Sequence, residues 1–136
     1  MGELIANRGL LPEIIVSSPA ERALQTAHLV KESAGFSIPL ILDDRIYEAS
    51  PQTLKQIVTG LPNEIESAML IGHNPGIEGF IRNLSGRSEP MPTAALAVID
   101  LDTHFWSEIG TAAGHLFDII RPKELMRTPD VRTVNN

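Results

Sequence analysis

The sequence predicts an α/β fold, a three-layer sandwich on a mostly parallel sheet. Three observations point to it. Short apolar runs at 14–16, 40–42 and 68–71 alternate with amphipathic stretches of helical length. The first and third runs pass directly into Ser18-Pro19 and Asn74-Pro75, residue pairs that open helices. The run Ala68-Met69-Leu70-Ile71 is apolar on both faces, as a strand in the middle of a parallel sheet is.

Taken in order, Gly2 to Arg8 reads as helix, and Gly9 followed by Leu10-Leu11 reads as a helix end with its hydrophobic contact. Nothing before Leu4 can act as an N-cap, so the chain reads as beginning inside an element. Ile14-Ile15-Val16 is a β-branched strand, and Ser18 caps a helix over 19–33 with Pro19 at its first position. Ala20, Ala23, Ala27 and Val30 line one face of that helix, small enough for close packing on a sheet. Leu40-Ile41-Leu42 is the next strand, and the Asp43-Asp44 turn leads to Arg45-Ile46-Tyr47-Glu48. Ser50-Pro51 repeats the cap-and-proline start. Leu54, Ile57, Val58 and Leu61 then follow at helical spacing, up to Gly60-Leu61-Pro62. After the strand at 68–71, Asn74-Pro75 starts a third helix with Ile77, Phe80, Ile81 and Leu84 on its apolar stripe, and Ser85-Gly86 closes it. Residues 94–99 read as the next buried strand of the sheet, and 115–120 as the last.

The chain of 136 residues, 43% hydrophobic and 21% charged, reads as one domain over 1–127 with a polar tail over 128–136. A net charge of −6 disfavours a phosphate-backbone partner, so nucleic acid is not expected. Without cysteine there is no disulfide, thiolate nucleophile or Cys-type zinc site, and a reducing cytoplasm fits. No apolar run reaches the ~20 residues that cross a bilayer, so no membrane association is expected. His28, His104 and His115 read as surface histidines. No pair of histidines has a close metal-ligand spacing, so neither a metal nor any other cofactor is expected.

Parallel α/β sheets bind ligands beyond the carboxyl ends of their strands, where two capped helix starts with the same construction stand here. Arg22, in the first turn of one helix, opposes the helix dipole unless an anion sits nearby, and His73 ends a strand at the same edge. Together they suggest a phosphate pocket. Each alone also has an ordinary reading, Arg22 as a solvated or ion-paired side chain and His73 as a buried, hydrogen-bonded one.

The ordered segments Ser17-Ser18-Pro19-Ala20-Glu21-Arg22-Ala23-Leu24-Gln25-Thr26-Ala27, Ile46-Tyr47-Glu48-Ala49-Ser50 and Gly72-His73-Asn74-Pro75-Gly76 resemble the phosphohistidine phosphatase branch of the histidine phosphatase, or phosphoglycerate-mutase-like, superfamily. Pro92-Thr93-Ala94-Ala95 and Arg121-Pro122-Lys123-Glu124-Leu125 resemble further segments of that branch. The resemblance implies a phosphatase with a covalent phosphohistidine intermediate. Its substrate would be a phosphohistidine on a protein or a small phosphate ester.

By resemblance Arg22 and His73 bind the phosphoryl oxygens, and His73 also stabilises transition-state charge. Glu48 stands where a proton donor to the leaving group is often kept, with capping or a salt bridge as its other reading. Thr93 could donate to phosphate from its loop or simply serve a turn. Arg45 and Arg121 read as surface or salt-bridge residues. The attacking histidine of the family sits in an Arg-His-Gly-type motif at the end of the first strand, and this sequence contains no such motif. With the helix that lacks its beginning, this predicts a fold truncated at its start. The missing strand would be absent from this sequence, supplied by a partner, or lost with closure of the sheet. The alternative function is a non-catalytic phosphate-binding or interaction module. The sequence does not fix the oligomeric state.

Overall fold

A computed structural model describes residues 12–34, 37–92, 95–109 and 114–120. The helix expected over 2–8, Thr93, Arg121 and the tail over 128–136 lie outside the described residues. Strand β1 (Ile14–Ser17) is the centre of a three-stranded parallel sheet, between β2 (Leu40–Leu42) and β3 (Ala68–Ile71). Ile15 sits opposite Leu40 on one side and Met69 on the other. All four residues of β1 are buried, as expected of a strand paired on both edges and covered on both faces.

Alternation along β1 divides the core in two. Ile15 packs with Ala27 and Val30 of helix α1 (Glu21–Ala34). Val16 points to the other face, where Leu54 and Ile57 of α2 (Pro51–Thr59) meet Phe80 and Leu84 of α3 (Gly76–Ser85). Each of these large apolar side chains contributes roughly 1.5–3 kcal/mol by leaving water.

The local signals read from sequence explain the helix ends. Ser50 Oγ accepts the Thr53 amide at 3.2 Å with Pro51 at the first position of α2. Gly86 ends α3 in the left-handed region (φ 74°), its amide donating to the Arg82 carbonyl. A short 3-10 helix (Asp44–Ile46) follows β2 and is capped by Asp43. Helix α1 starts two residues later than the proline placement suggests. Ser18 still caps it, its Oγ accepting the Ala20 amide at 3.1 Å before regular α geometry begins at Glu21.

One expectation needs correction. The strand expected at 94–99 as part of the parallel sheet is β4 (Leu96–Leu101), which among the described residues pairs antiparallel with β5 (Gly114–Ile120) and not with β1–β3. The physical reason is that a run of apolar residues fixes strand formation but says nothing of direction or partner. Among the described residues the two sheets are separate, and a second 3-10 turn (Trp106–Glu108) follows β4.

Candidate active site at the carboxyl ends of β1 and β3

Two strand ends are tied together where they enter their helices. After β1, the Ser18 amide donates to the Ile71 carbonyl of β3 at 3.0 Å. Ser18 itself is fully buried, and its Oγ lies 2.8 Å from His73 Nε2, with the direction of that hydrogen bond set by the imidazole tautomer. The same oxygen thus caps α1 and holds the ring that ends β3. The edge of the His73 ring system is further limited by Tyr47, whose ring lies 5.6 Å away, centroid to centroid, in a T-shaped arrangement.

The segment after His73 is braced from behind. Asn74 Nδ2 donates to the Met91 carbonyl at 2.6 Å, and Asn74 Oδ1 accepts the Glu78 amide at 3.3 Å. Glu78 Oε2 accepts the Met91 amide at 2.7 Å and an Asn74 Nδ2 proton at 3.2 Å. This closed set fastens the loop before β4 to the first turn of α3. Gly76 is required there because a Cβ would run into the Ala49 carbonyl oxygen, a backbone atom with no freedom to yield.

Arg22, the second residue of α1, is exposed and lines the same cleft as His73 and Asn74. Its carbonyl accepts the Thr26 hydroxyl, but among the described residues its guanidinium has no hydrogen bond or ion pair, so its five donors at the positive end of a helix remain open to an anion. Glu48 does not join them in lining that cleft. It is exposed and takes a left-handed backbone conformation (φ 54°) in the reversal between the 3-10 helix and α2. Arg45 pairs with Asp43 at 2.6 Å, as its surface reading anticipates, and His28, His104 and His115 are exposed.

Ser18 and Tyr47 are the contacts to His73 that sequence reasoning missed, Ser18 being read there only as a cap. The repeated construction of the two strand ends was a signal that their turns abut, but not that a side chain of one would hold a side chain of the other.

The fold is shared with known proteins. No protein-family model matches the sequence. The uncharacterized protein ML1117 of Mycobacterium leprae is 24% identical over 99 residues, which span 65% of this chain and 59% of that protein. The phosphohistidine phosphatase SixA structure from Agrobacterium tumefaciens superposes with a TM-score of 0.75 at 28% identity, covering 89% of this chain and 75% of that one. The chain has the fold of the SixA phosphohistidine phosphatases of the histidine phosphatase superfamily. The same superfamily fold recurs in a protein histidine phosphatase SixA complexed with tungstate (TM-score 0.76, 21% identity, covering 91% of this chain and 78% of that one). It recurs again in SixA of Nakamurella multipartitia (0.69, 22%, covering 89% and 77%).

Proposed function

We propose that this chain carries the phosphate-binding half of a phosphatase that hydrolyses phosphohistidine on a protein through a phosphohistidine intermediate. The observation that carries this reading is the shared cleft: an unpaired guanidinium from the start of α1 and an imidazole from the end of β3 at one sheet edge. It is supported by the motif order and by the SixA neighbours, one of which binds tungstate, a tetrahedral oxyanion that mimics phosphate.

In this reading Arg22 donates to two phosphoryl oxygens, and His73, positioned by Ser18 and Tyr47, stabilises the charge that grows on them in the transition state. An attacking histidine forms a bond from its ring nitrogen to phosphorus as the bond to the substrate imidazole breaks, and the departing imidazole takes a proton. Water then attacks phosphorus, the enzyme's phosphorus–nitrogen bond breaks, and inorganic phosphate leaves. None of His28, His73, His104 and His115 stands in an Arg-His-Gly motif, so the nucleophile is assigned outside these residues. An imidazole leaving group needs little protonation, which leaves Glu48 a secondary part as proton donor and Thr93 one as an added phosphate donor.

Titration calorimetry with vanadate tests the site. Arg22→Ala and His73→Ala are each expected to weaken binding by about 10-fold or more, the loss of a charge-assisted hydrogen bond. Turnover of phosphohistidine by the 136-residue chain alone is expected near background. Vanadate affinity unchanged in both variants would overturn the reading.

A further inference from the structure

Ser18 is fully shielded from water, so each of its hydrogen-bonding groups needs a partner within the protein. Its amide donates to the Ile71 carbonyl at 3.0 Å, and its carbonyl accepts the hydroxyl of Ser17, also buried, at 2.9 Å. The side chain between them is thereby fixed relative to β3. A hydroxyl offers one proton and two lone pairs. One lone pair of Ser18 Oγ accepts the Ala20 amide at 3.1 Å. The proton remains, and among the described residues the one other partner of that oxygen is His73 Nε2 at 2.8 Å.

That count of donors and acceptors decides the ring. A hydrogen on Nε2 would be donated to Oγ, and the Ser18 proton would then be buried with no acceptor. A bare Nε2 accepts that proton and leaves every polar atom of the pair satisfied. Neutral imidazole has one hydrogen for two nitrogens, so a bare Nε2 puts it on Nδ1. This is the opposite of the tautomer that neutral histidine favours in water. The residue is also held in place at both ends, its carbonyl accepting the Ile77 amide at 3.0 Å and its ring meeting Tyr47 in the T-shaped contact at 5.6 Å.

We propose that Ser18 holds His73 in its Nδ1–H tautomer, so that Nδ1–H is the donor this ring offers to a bound oxyanion. The donor role rests on the proposed function; the tautomer does not. The cleft walled by β3 and β4 is lined by His73, beyond the carboxyl end of β3, and by Arg22. With Nε2 tied to a buried hydroxyl, Nδ1 is the nitrogen left for that space. In the opposite tautomer Nδ1 would turn a lone pair toward the phosphoryl oxygens and repel them. As an N–H it stabilises the charge that grows on them. Ser18 is thus a positioning residue, acting on the oxyanion through the imidazole, because the hydrogen bond at one ring nitrogen settles what the other carries.

Nuclear magnetic resonance of the 136-residue protein, with its histidines enriched in the heavy nitrogen isotope, reads the tautomer directly by correlating ring nitrogens with ring C–H protons. The spectrum is taken at pH ~8.5, above the ordinary imidazole range. The signals that vanish in His73→Ala are expected to show Nδ1 as a protonated, pyrrole-type nitrogen and Nε2 as a bare, pyridine-type one. Ser18→Ala is expected to move the pair toward the opposite tautomer. Saturating vanadate is expected to shift the wild-type Nδ1 signal while both nitrogens keep their types. Hydrogen on Nε2 of the wild-type ring, whether alone, in a mixture or together with Nδ1–H, overturns the proposal, and this result stands even where Ser18→Ala does not fold. A folded Ser18→Ala protein that keeps the Nδ1–H pattern overturns it as well. Vanadate that binds by calorimetry without moving Nδ1 overturns the donor role. No vanadate binding at all overturns the phosphate site and the donor role together, while the vanadate-free spectrum still decides the tautomer.

Discussion

The Oγ of Ser18 accepts the Ala20 amide at 3.1 Å and meets His73 Nε2 at 2.8 Å, so truncating it removes a helix cap and leaves an imidazole without its buried partner. Ser18→Ala is expected to lower stability by about 1–2 kcal/mol in chemical denaturation, within the range for a lost cap. It is also expected to weaken vanadate binding less than His73→Ala does. A stability loss with unchanged vanadate affinity would reduce Ser18 to a capping role. The sequence shows the capping role plainly, because Ser-Pro at a strand end is a local signal. The hydrogen bond to His73 is not legible, since it joins residues 55 positions apart. Arg22 stood out for the opposite reason: a cation in a first helical turn is locally unfavourable, and such a misfit is visible without coordinates.

At the scale of elements, the strand–turn–helix units were legible where a cap, a proline and an apolar stripe agree, as at Ser50-Pro51 with Leu54, Ile57 and Val58. The turn after β2 adds a test in pH. Asp43 accepts from the Arg45 backbone amide at 2.9 Å and from its guanidinium at 3.0 and 2.6 Å, and the side-chain bond from Arg45 is the main cause that holds the carboxyl below its ordinary range. A carboxyl whose folded value is depressed stabilises the fold above the unfolded value, ~3.9, and loses that contribution as pH falls through the folded one. Asp43→Ala is therefore expected to cost about 1 kcal/mol at pH 7, mostly from the cap because the Arg45 side chain is exposed, and to cost little at pH 2. Denaturation curves of both proteins at the two pH values check this. An equal difference at both would show that the carboxylate is not the stabilising group.

For the whole molecule, the sheet order has an energetic reading. β1 is paired on both sides and its residues are buried, whereas β3 is half-buried along its length and, among the described residues, paired on one side only. In native-state hydrogen exchange the amides of Ile15 and Val16 are expected to be the slowest, with the cleft-side amides of β3 and β4 faster by an order of magnitude or more. Uniform protection across the three strands would contradict the open edge. Local patterning foretold the strand at 68–71 and, with bounds shifted toward 96–101, the one expected at 94–99. It could not foretell that they face each other across a gap, because an unpaired edge differs from a paired one only in what lies beside it.

The single tryptophan of the chain stands at the far end of that gap, half-buried, its indole N–H fixed to the Ile65 carbonyl and its ring against the core shared by α2 and α3. Tryptophan fluorescence, excited at wavelengths that Tyr47 does not absorb, therefore arises from one position, remote from the phosphate contacts yet on the wall of the same cleft. Its emission wavelength reports directly on local polarity there, giving the protein an unlabelled optical gauge of how far water reaches along that wall.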